Sequence, residues 1–207
     1  RGEPKTNITI AVVRKGELKP LEFKMQRDII KIQSVFAKKI ENEDLLYLRI
    51  ASFDEKVTND LEKIIKENKN VKGLILDLRN NPGGLLNQAI GVVNLFVDKG
   101  VIVSQKGRNA EDEEKFEATT SGTKTKLPLV VLVNEGSASA SEIVSGSLQD
   151  HKRAVIIGEK TFGKGSVQAV LPINESRTEN IKLTIAKYYL PSGRTIQAEG
   201  VTPDVTA

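Results

Sequence analysis

The sequence contains no cysteine and only one histidine among its 207 residues. The absence of cysteine excludes disulfides, thiolate nucleophiles and thiolate metal ligands. The single histidine, His151, follows Asp150 near the end of a predicted helix, where we expect it to interact with the helix C-terminus rather than act as a base. No pair of histidines and no cluster of carboxylates indicates a metal site. We therefore expect neither a metal nor another cofactor.

The chain is also poor in aromatic residues and in long apolar runs. Aromatic residues make up 4% of the sequence, and the formal net charge is +4 with the lysines scattered among acids. This composition lacks the basic and aromatic surface that binds single-stranded nucleic acid, so we expect no nucleic-acid partner. No run of about 18 apolar residues predicts a membrane-spanning helix. No signal-peptide pattern is visible at the start of the sequence.

The hydrophobic pattern predicts strands that alternate with helices. Apolar stripes at helical spacing predict helices over 55–68 and 85–97, and a third helix starting near Ser139. Strands are predicted at 45–50, 73–78, 101–104, 129–133, 155–157, 166–171 and 181–189. The charged stretch 105–126 is predicted to be an exposed loop or a short ribbon. This order of elements favours an α/β fold with a mostly parallel sheet.

Residues 7–13 and 20–26 are predicted to form a hairpin with a turn at Lys15 and Gly16. Apolar and polar residues alternate in its second strand, which is the pattern of a strand with one buried face. A hairpin of this size is not stable alone.

Three serines, Ser137, Ser139 and Ser141, follow the predicted strand 129–133 and precede a helix. A strand, a turn of small residues and a helix can lift a hydroxyl above a sheet. The same arrangement directs the free N–H groups of the helix toward the position of an oxyanion. Serine at a helix start is also ordinary N-cap chemistry, so this segment alone leaves a nucleophile and a cap both open.

Lys164 lies between Gly163 and Gly165, close to apolar strands. A lysine acts as a general base only in its neutral form, which burial favours, and the glycines allow backbone to pack closely and exclude water. A solvated lysine on a flexible glycine turn is the alternative. A hydroxyl and an amine are the minimum for serine catalysis without histidine.

Residues 158–164 also match the first seven positions of a phosphate-binding P-loop, and 73–77 resembles its Mg²⁺-binding strand. Two features disfavour a nucleotide-hydrolysing site. Gly165 stands where the Mg²⁺-binding hydroxyl is needed, and the acidic strand precedes the loop instead of following it.

Five segments, in this order, resemble the C-terminal processing, or tail-specific, serine peptidases: LDLRNNPGG (76–84), NEGSASASEI (134–143), LQDHKRA (148–154), GEKTFGKGSVQ (158–168) and YYLPSGRTIQAEGVTPD (188–204). The resemblance implies a crotonase/ClpP-like α/β protease core with a mostly parallel sheet. It also implies a serine endopeptidase that cleaves near the C-terminal tails of proteins through an acyl-enzyme. Some proteins with a similar core carry ligands instead of cutting peptides, so a non-catalytic ligand- or peptide-binding module stays the alternative.

The resemblance also implies roles for individual residues. Ser139, the middle serine, would be the nucleophile, and Lys164 would be the general base. Gln168 would orient the lysine, and on a regular strand positions 164 and 168 face the same side.

Further residues would support the reaction, again by resemblance. Ala140 would donate its amide to the oxyanion together with Gly84 or Gly83, of which we favour Gly84. Asp150 matches a position that supports the site, although a hydrogen bond at the helix terminus explains it equally well.

Residues 1–27 resemble the last strands of a PDZ domain, which in these peptidases precedes the core, here 28–207. PDZ domains bind free C-termini by strand addition. The resemblance thus implies that the substrates are proteins or peptides with exposed C-termini. It also implies an activator or adaptor protein and further copies of the chain, in a homo-oligomer, as partners. The location that it implies is the periplasm or cell envelope of a bacterium. Most of the PDZ domain lies outside this sequence, so the activity of the core without it is left open.

Overall fold

The computed structural model describes residues 2–29, 33–40, 42–122, 124–174, 176 and 178–207. The chain divides into two compact units, Arg1–Gln33 and Ser34–Ala207. Within the described ranges, no helix has both the length and the apolar character needed to cross a membrane.

The smaller unit is an antiparallel hairpin of β1 (Asn7–Val12) and β2 (Leu21–Gln26), as predicted. Its register places three apolar pairs on one face: Ile8–Met25, Ile10–Phe23 and Val12–Leu21. The unit ends a few residues beyond the predicted domain boundary at 27. Its assignment to a PDZ domain stays a prediction.

The larger unit is built on a six-stranded sheet. Its strands are β3 (Val35–Ile40), β4 (Leu45–Ile50), β5 (Gly73–Asp77), β8 (Leu129–Val133), β9 (Val155–Gly158) and β12 (Val205–Thr206). The order is β12–β9–β8–β5–β4–β3, and all neighbours are parallel except β3 and β4. The mostly parallel sheet is therefore confirmed, whereas β3 and β12 were not predicted from the sequence.

A second sheet contains the remaining strands of this unit, and it is antiparallel. Its members are β6 (Val101–Lys106), β7 (Glu113–Glu117), β10 (Ser166–Pro172) and β11 (Asn180–Tyr189), in the order β10–β11–β6–β7. The strand β7 confirms the short ribbon predicted within 105–126. A separate sheet was not predicted, because apolar alternation identifies a strand but not its partner.

Three helices pack against one another and against the sheets: α1 (Val57–Glu67), α2 (Leu86–Asn94) and α3 (Ala140–Asp150). They confirm the three helices expected from the sequence. The helix α3 is central, because every residue from 140 to 148 is buried. Its small residues allow this packing. A side chain at Gly146, for example, would place a Cβ 2.5 Å from Leu190 Cδ1.

Candidate active site

Two loops leave neighbouring parallel strands at the same edge of the central sheet. The glycine loop (residues 78–84) follows β5, and the serine turn (residues 134–139) follows β8. Asn80 N–H donates to Asn134 Oδ1 at 2.8 Å, and Asn134 Nδ2 donates to Asn80 Oδ1 at 3.0 Å. The carboxyl ends of parallel strands are where α/β proteins bind ligands, and the two loops meet there.

Ser139 occupies the sharp change of direction between the serine turn and α3. Its backbone has φ 55° and ψ −111°, a positive φ that side-chain-bearing residues rarely adopt. Such strain costs roughly 1–3 kcal/mol and persists only where the surroundings impose it. A strained serine between a strand and a helix is the geometry that exposes a nucleophilic hydroxyl. The backbone thus supports the prediction for Ser139.

The other two serines of the cluster hold backbone in place. Ser137 Oγ donates to Leu78 O at 2.8 Å, and Ser141 Oγ donates to Asn81 O at 2.9 Å. Both of these serines are fully buried, whereas Ser139 is only partly buried. The structure therefore separates three serines that the local pattern left alike, and Ser139 is the one that a substrate can reach.

Gly83 lies directly against the serine turn. Its φ is +103°, and a Cβ there would lie 2.8 Å from both Ala138 O and Ser139 Cβ. Only glycine adopts this conformation readily and leaves room for the turn. The Gly83 N–H itself donates to Asn81 Oδ1 at 2.9 Å, so this amide is already engaged.

The next amide, that of Gly84, is better placed to meet an oxyanion. Gly83 O accepts a hydrogen bond from Phe53 N at 3.0 Å, and no peptide bond of the described chain is cis. In a trans peptide the following N–H points the opposite way, here away from Phe53. Within the described residues, neither Gly84 N–H nor Ala140 N–H donates to a protein acceptor. These free amides favour Gly84 over Gly83 as the partner of Ala140.

The lysine loop (residues 159–165) runs beside the serine turn. Phe162 N–H donates to Ser137 O at 3.0 Å, and Lys164 N–H donates to Glu142 Oε2 at 2.8 Å. The fold therefore brings the backbone of the predicted base next to that of the predicted nucleophile.

The structure distinguishes the two alternatives for the side chain of Lys164. Lys164 is exposed, although Gly163 and Gly165 on either side of it are buried. In the part of the chain that the structure describes, no hydrogen bond joins Lys164 Nζ to Ser139 or to Gln168. Of the two alternatives that the sequence left open, the structure shows the solvated lysine. The role of Lys164 as the base stays a prediction.

Gln168 is also exposed, on β10. The strand begins only at Ser166, and its pairing with β11 has an irregularity between Val167 and Gln168. Side chains alternate between faces only within a regular strand. The argument that placed positions 164 and 168 on one face therefore does not hold.

Glu142 is the main feature of the site that we did not predict. It is fully buried, and it accepts hydrogen bonds from the backbone of both Ser139 and Lys164. A signal was present in the sequence, since a glutamate three residues after a serine at a helix start is the spacing of a capping box. The pattern predicts the bond to Ser139 N–H, but not the bonds to the distant lysine loop.

Asp150 lies at the other end of α3, roughly 16 Å along the helix axis from the serine turn. Its Oδ1 is 2.9 Å from Arg194 Nη2, and its Oδ2 accepts Ser192 N–H at 3.0 Å. His151 is at the same end, with Nε2 2.7 Å from Val101 O. Neither side chain is placed to react, and Asp150 instead anchors the turn around residue 193.

The segment that follows this turn is also bonded to the lysine loop. Gly165 N–H donates to Gln197 Oε1 at 3.0 Å, and Ala198 N–H donates to Gly163 O at 2.9 Å. Asp150 is therefore connected to the lysine loop through this segment, and its support of the site stays a prediction.

Asp77, at the end of β5, fixes the start of the glycine loop. Arg79 Nε and Nη2 donate to its two oxygens at 3.0 and 2.7 Å, and Tyr47 Oη donates at 2.5 Å. Although burial raises the pKa of Asp77, the hydrogen bonds from Arg79 and Tyr47 outweigh burial and hold this pKa below its ordinary value. The ionised carboxylate also accepts Arg79 N–H at 2.9 Å.

The P-loop alternative is wrong. A P-loop needs a strand, a loop and then a helix whose N-terminus binds phosphate. Here the lysine loop follows β9 but leads into the strand β10. The aspartate of the supposed Mg²⁺-binding strand, Asp77, has its carboxylate occupied by Arg79 and Tyr47.

Sequence comparison gives matches over nearly the whole chain. The profile of peptidase family S41 matches residues 44–207. The carboxy-terminal-processing protease of Bartonella bacilliformis is 48% identical over 211 residues, which cover 99% of this chain and 48% of that protein. The carboxy-terminal processing protease CtpA of Bacillus subtilis is 38% identical over 209 residues, which cover 100% of this chain and 44% of that protein. The chain thus spans about half the length of the curated relatives that it matches.

Structural comparison agrees with these matches. The photosystem II D1 C-terminal processing protease superimposes with a TM-score of 0.76 at 32% identity, covering 100% of this chain and 56% of that chain. The tricorn protease shares the fold, with a TM-score of 0.50 at 17% identity over 99% of this chain and 20% of that one. The profile match and the relatives lead to one conclusion: the chain belongs to peptidase family S41.

Proposed function

We propose that this chain carries the catalytic core of a serine endopeptidase that cleaves near the C-terminal tails of protein substrates. One observation carries the proposal: Ser139 is strained and partly exposed, and the amides of Ala140 and Gly84 have no acceptor among the described residues. The relatives in Bartonella bacilliformis and Bacillus subtilis bear the name of carboxy-terminal processing proteases, which supports the choice of substrate.

In the acylation step, the neutral amine of Lys164 takes the hydroxyl proton of Ser139 while Oγ attacks the scissile carbonyl carbon. The amides of Ala140 and Gly84 donate to the oxyanion, and one such donor is worth roughly 10²- to 10³-fold in kcat. Lys164 then returns the proton to the leaving amine as the C–N bond breaks. The acyl group remains on Ser139 Oγ.

In the deacylation step, a water molecule attacks the ester carbon of the acyl-enzyme, and Lys164 takes a proton from this water. The bond from the carbonyl carbon to Ser139 Oγ breaks, and Lys164 returns the proton to Oγ. The product leaves with a new C-terminal carboxyl group, and the hydroxyl of Ser139 is restored.

The reaction requires Lys164 Nζ to reach hydrogen-bond distance of Ser139 Oγ. Catalytic contacts are often loose before the substrate binds, and the backbone of Lys164 is already held beside the serine turn by Glu142. We propose that Gln168 orients the amine in the complex with a substrate.

A non-catalytic ligand- or peptide-binding module is the second candidate. The exposure of Lys164 favours it, because a general base must lie within hydrogen-bond reach of the proton that it takes, and among the described residues no hydrogen bond joins Lys164 Nζ to Ser139. This candidate predicts binding of peptides without hydrolysis.

Mass spectrometry of a cleavage reaction separates the two candidates. An unstructured protein with an apolar C-terminus is incubated with the chain and, in parallel, with its Ser139→Ala variant. We expect fragments from the first reaction only. Fragments from both reactions would contradict the role of Ser139, and peptide binding without fragments in either would favour the binding module.

We further propose that residues 1–27 are the last strands of a PDZ domain, and that the protein works in the periplasm or cell envelope of a bacterium. Its partners would be proteins with exposed C-termini, an activator or adaptor protein, and further copies of itself. Cell fractionation and sizing of the longer protein that contains this chain test these points. Recovery in the cytoplasm would contradict the proposed location.

A further inference from the structure

The carboxylate of Glu142 accepts four hydrogen bonds inside the protein. Oε1 accepts Thr161 Oγ1 at 2.6 Å and Gly163 N–H at 2.6 Å. Oε2 accepts Ser139 N–H at 2.8 Å and Lys164 N–H at 2.8 Å. These lengths are those of hydrogen bonds to an ionised acceptor, which are stronger than neutral ones.

One atom, Glu142 Oε2, joins the two residues that the proposed reaction needs. The backbone nitrogens of Ser139 and Lys164 are each 2.8 Å from it, so they are separated by at most twice this distance. The first nitrogen belongs to the serine turn and the second to the lysine loop, 25 positions further along the sequence. Within the described residues, no hydrogen bond joins Ser139 to Lys164 directly. Glu142 therefore bridges these two residues, and the bond from Phe162 N–H to Ser137 O joins the same two segments beside it.

The surroundings explain why a charge is stable at this buried position. A carboxylate offers about four lone-pair sites, and four donors occupy those of Glu142. The residue also lies in the first turn of α3, where the helix dipole favours negative charge. A buried carboxylate without such partners would cost several kcal/mol, roughly, and would not persist.

We propose that Glu142 is a positioning residue, which sets the spacing between Ser139 and Lys164 and holds Ser139 in its strained conformation. The inference rests on the proposed function, because the spacing matters only if these two residues react together. Among the described residues, the Glu142 carboxylate is bonded to the backbone of Ser139 and Lys164 and to neither of their side chains. Its bond to Ser139 N–H fixes the peptide before the nucleophile, and thereby the direction of the following amide, Ala140 N–H.

The first test is Glu142→Gln, which keeps the volume of the side chain. The substitution replaces one carboxylate oxygen by an NH2 group. The N–H donors of this group would face the N–H donors of the two loops, with no acceptor between them. A displacement of about 1 Å at a reacting centre can cost roughly 10²-fold. We expect kcat for a peptide to fall about 10²-fold while KM changes less than about twofold. Labelling of Ser139 by a small fluorophosphonate should slow by a similar factor.

The matched control is Asp204→Asn. Asp204 Oδ2 accepts Ile156 N–H at 2.8 Å, and Oδ1 accepts Gln149 Nε2 at 2.8 Å, near the far end of α3. The chemical change is the same, but neither partner belongs to the site. We expect this variant to lose stability and to keep the labelling rate of the unmodified chain, which separates positioning from a general loss of stability.

A second pair of variants tests the positioning role of Glu142 even if Glu142→Gln does not fold. Thr161→Val removes one donor to Glu142 Oε1 and leaves the carboxylate, whereas Thr161→Ser keeps the hydroxyl. We expect Thr161→Ser to label Ser139 nearly as fast as the unmodified chain and Thr161→Val to label it several-fold more slowly.

The outcomes are distinguishable. A folded Glu142→Gln variant with unchanged kcat and labelling rate would overturn the positioning role, as would equal labelling of the two Thr161 variants if only they fold. If the unmodified chain itself is not labelled at Ser139, the proposed function fails, and the positioning role fails with it.

Discussion

The two sides of the proposed site are held in different ways. On the serine side, Ser137 and Ser141 are buried and bonded to the glycine loop, so the strained backbone of Ser139 is set before any substrate arrives. On the lysine side, the backbone of Lys164 is bonded to Glu142, but the side chain is exposed. The proposed nucleophile and oxyanion donors are thus held by packing, whereas the proposed base would have to reach its place through a long side chain that must lose rotamer freedom.

This difference has a consequence for how substitutions act. Changes that move the backbone of the serine turn should alter both stability and reactivity, because the same packing serves both. Changes to the side chain of Lys164 should alter reactivity alone, since an exposed side chain without a bonded partner contributes little to folding.

The largest effect is expected within the serine cluster. Ser139→Ala should reduce peptide cleavage by roughly 10⁴-fold or more, because it removes the nucleophile. Ser137→Ala and Ser141→Ala should keep substantial activity but lose about 1–3 kcal/mol of stability, because each removes a buried hydrogen bond. Cleavage rates and urea unfolding of the three variants test this ranking. If Ser137→Ala or Ser141→Ala lost more activity than Ser139→Ala, the nucleophile would be that serine instead of Ser139.

The second effect concerns the base. Lys164→Ala should reduce kcat by roughly 10²- to 10⁴-fold with an unchanged melting temperature. Lys160→Ala, which changes an exposed lysine of the same loop, should have little effect on kcat or on the melting temperature. Equal activity of the two alanine variants would exclude Lys164 as the base.

The third effect tests the contact between the glycine loop and the serine turn. Gly83 and Gly193 both have positive φ, but a Cβ at Gly193 would meet nothing within 4 Å. Gly193→Ala should therefore cost only the conformational strain, about 1–2 kcal/mol. Gly83→Ala should cost more, because its Cβ would lie 2.8 Å from Ala138 O, and should also lower cleavage roughly 10-fold or more by moving the turn. Thermal unfolding and cleavage rates of the pair provide the comparison.

The serine side was also the easier one to predict from the sequence. A buried strand, small residues and a helix predict the turn at Ser139, because these signals are local. The exposure of Lys164 and the bonds of Glu142 to the lysine loop were not predictable, since both depend on how distant segments pack. The same limit applies to the sheets. The strands β6, β10 and β11 were predicted as strands, but their separate antiparallel sheet follows from long-range pairing that alternation does not contain.

The substitution with the smallest expected effect, Ser147→Ala, tests whether packing already fixes the serine turn. Ser147 is fully buried in α3, and its hydroxyl has no partner among the described residues. Removing an unsatisfied buried hydroxyl relieves a desolvation cost, and alanine is the better helix former. We expect Ser147→Ala to raise stability by about 1 kcal/mol, or roughly 2–4 °C in Tm.

Ser145→Ala is the matched control in the same helix, because Ser145 Oγ donates to Ser141 O at 2.9 Å and its loss brings no such relief. Neither variant should change the cleavage rate, since added stability in α3 cannot improve a turn that packing already holds. A faster or slower Ser147→Ala enzyme would show instead that α3 still moves during turnover, and the contrast between a fixed serine side and an adjustable lysine side would be wrong.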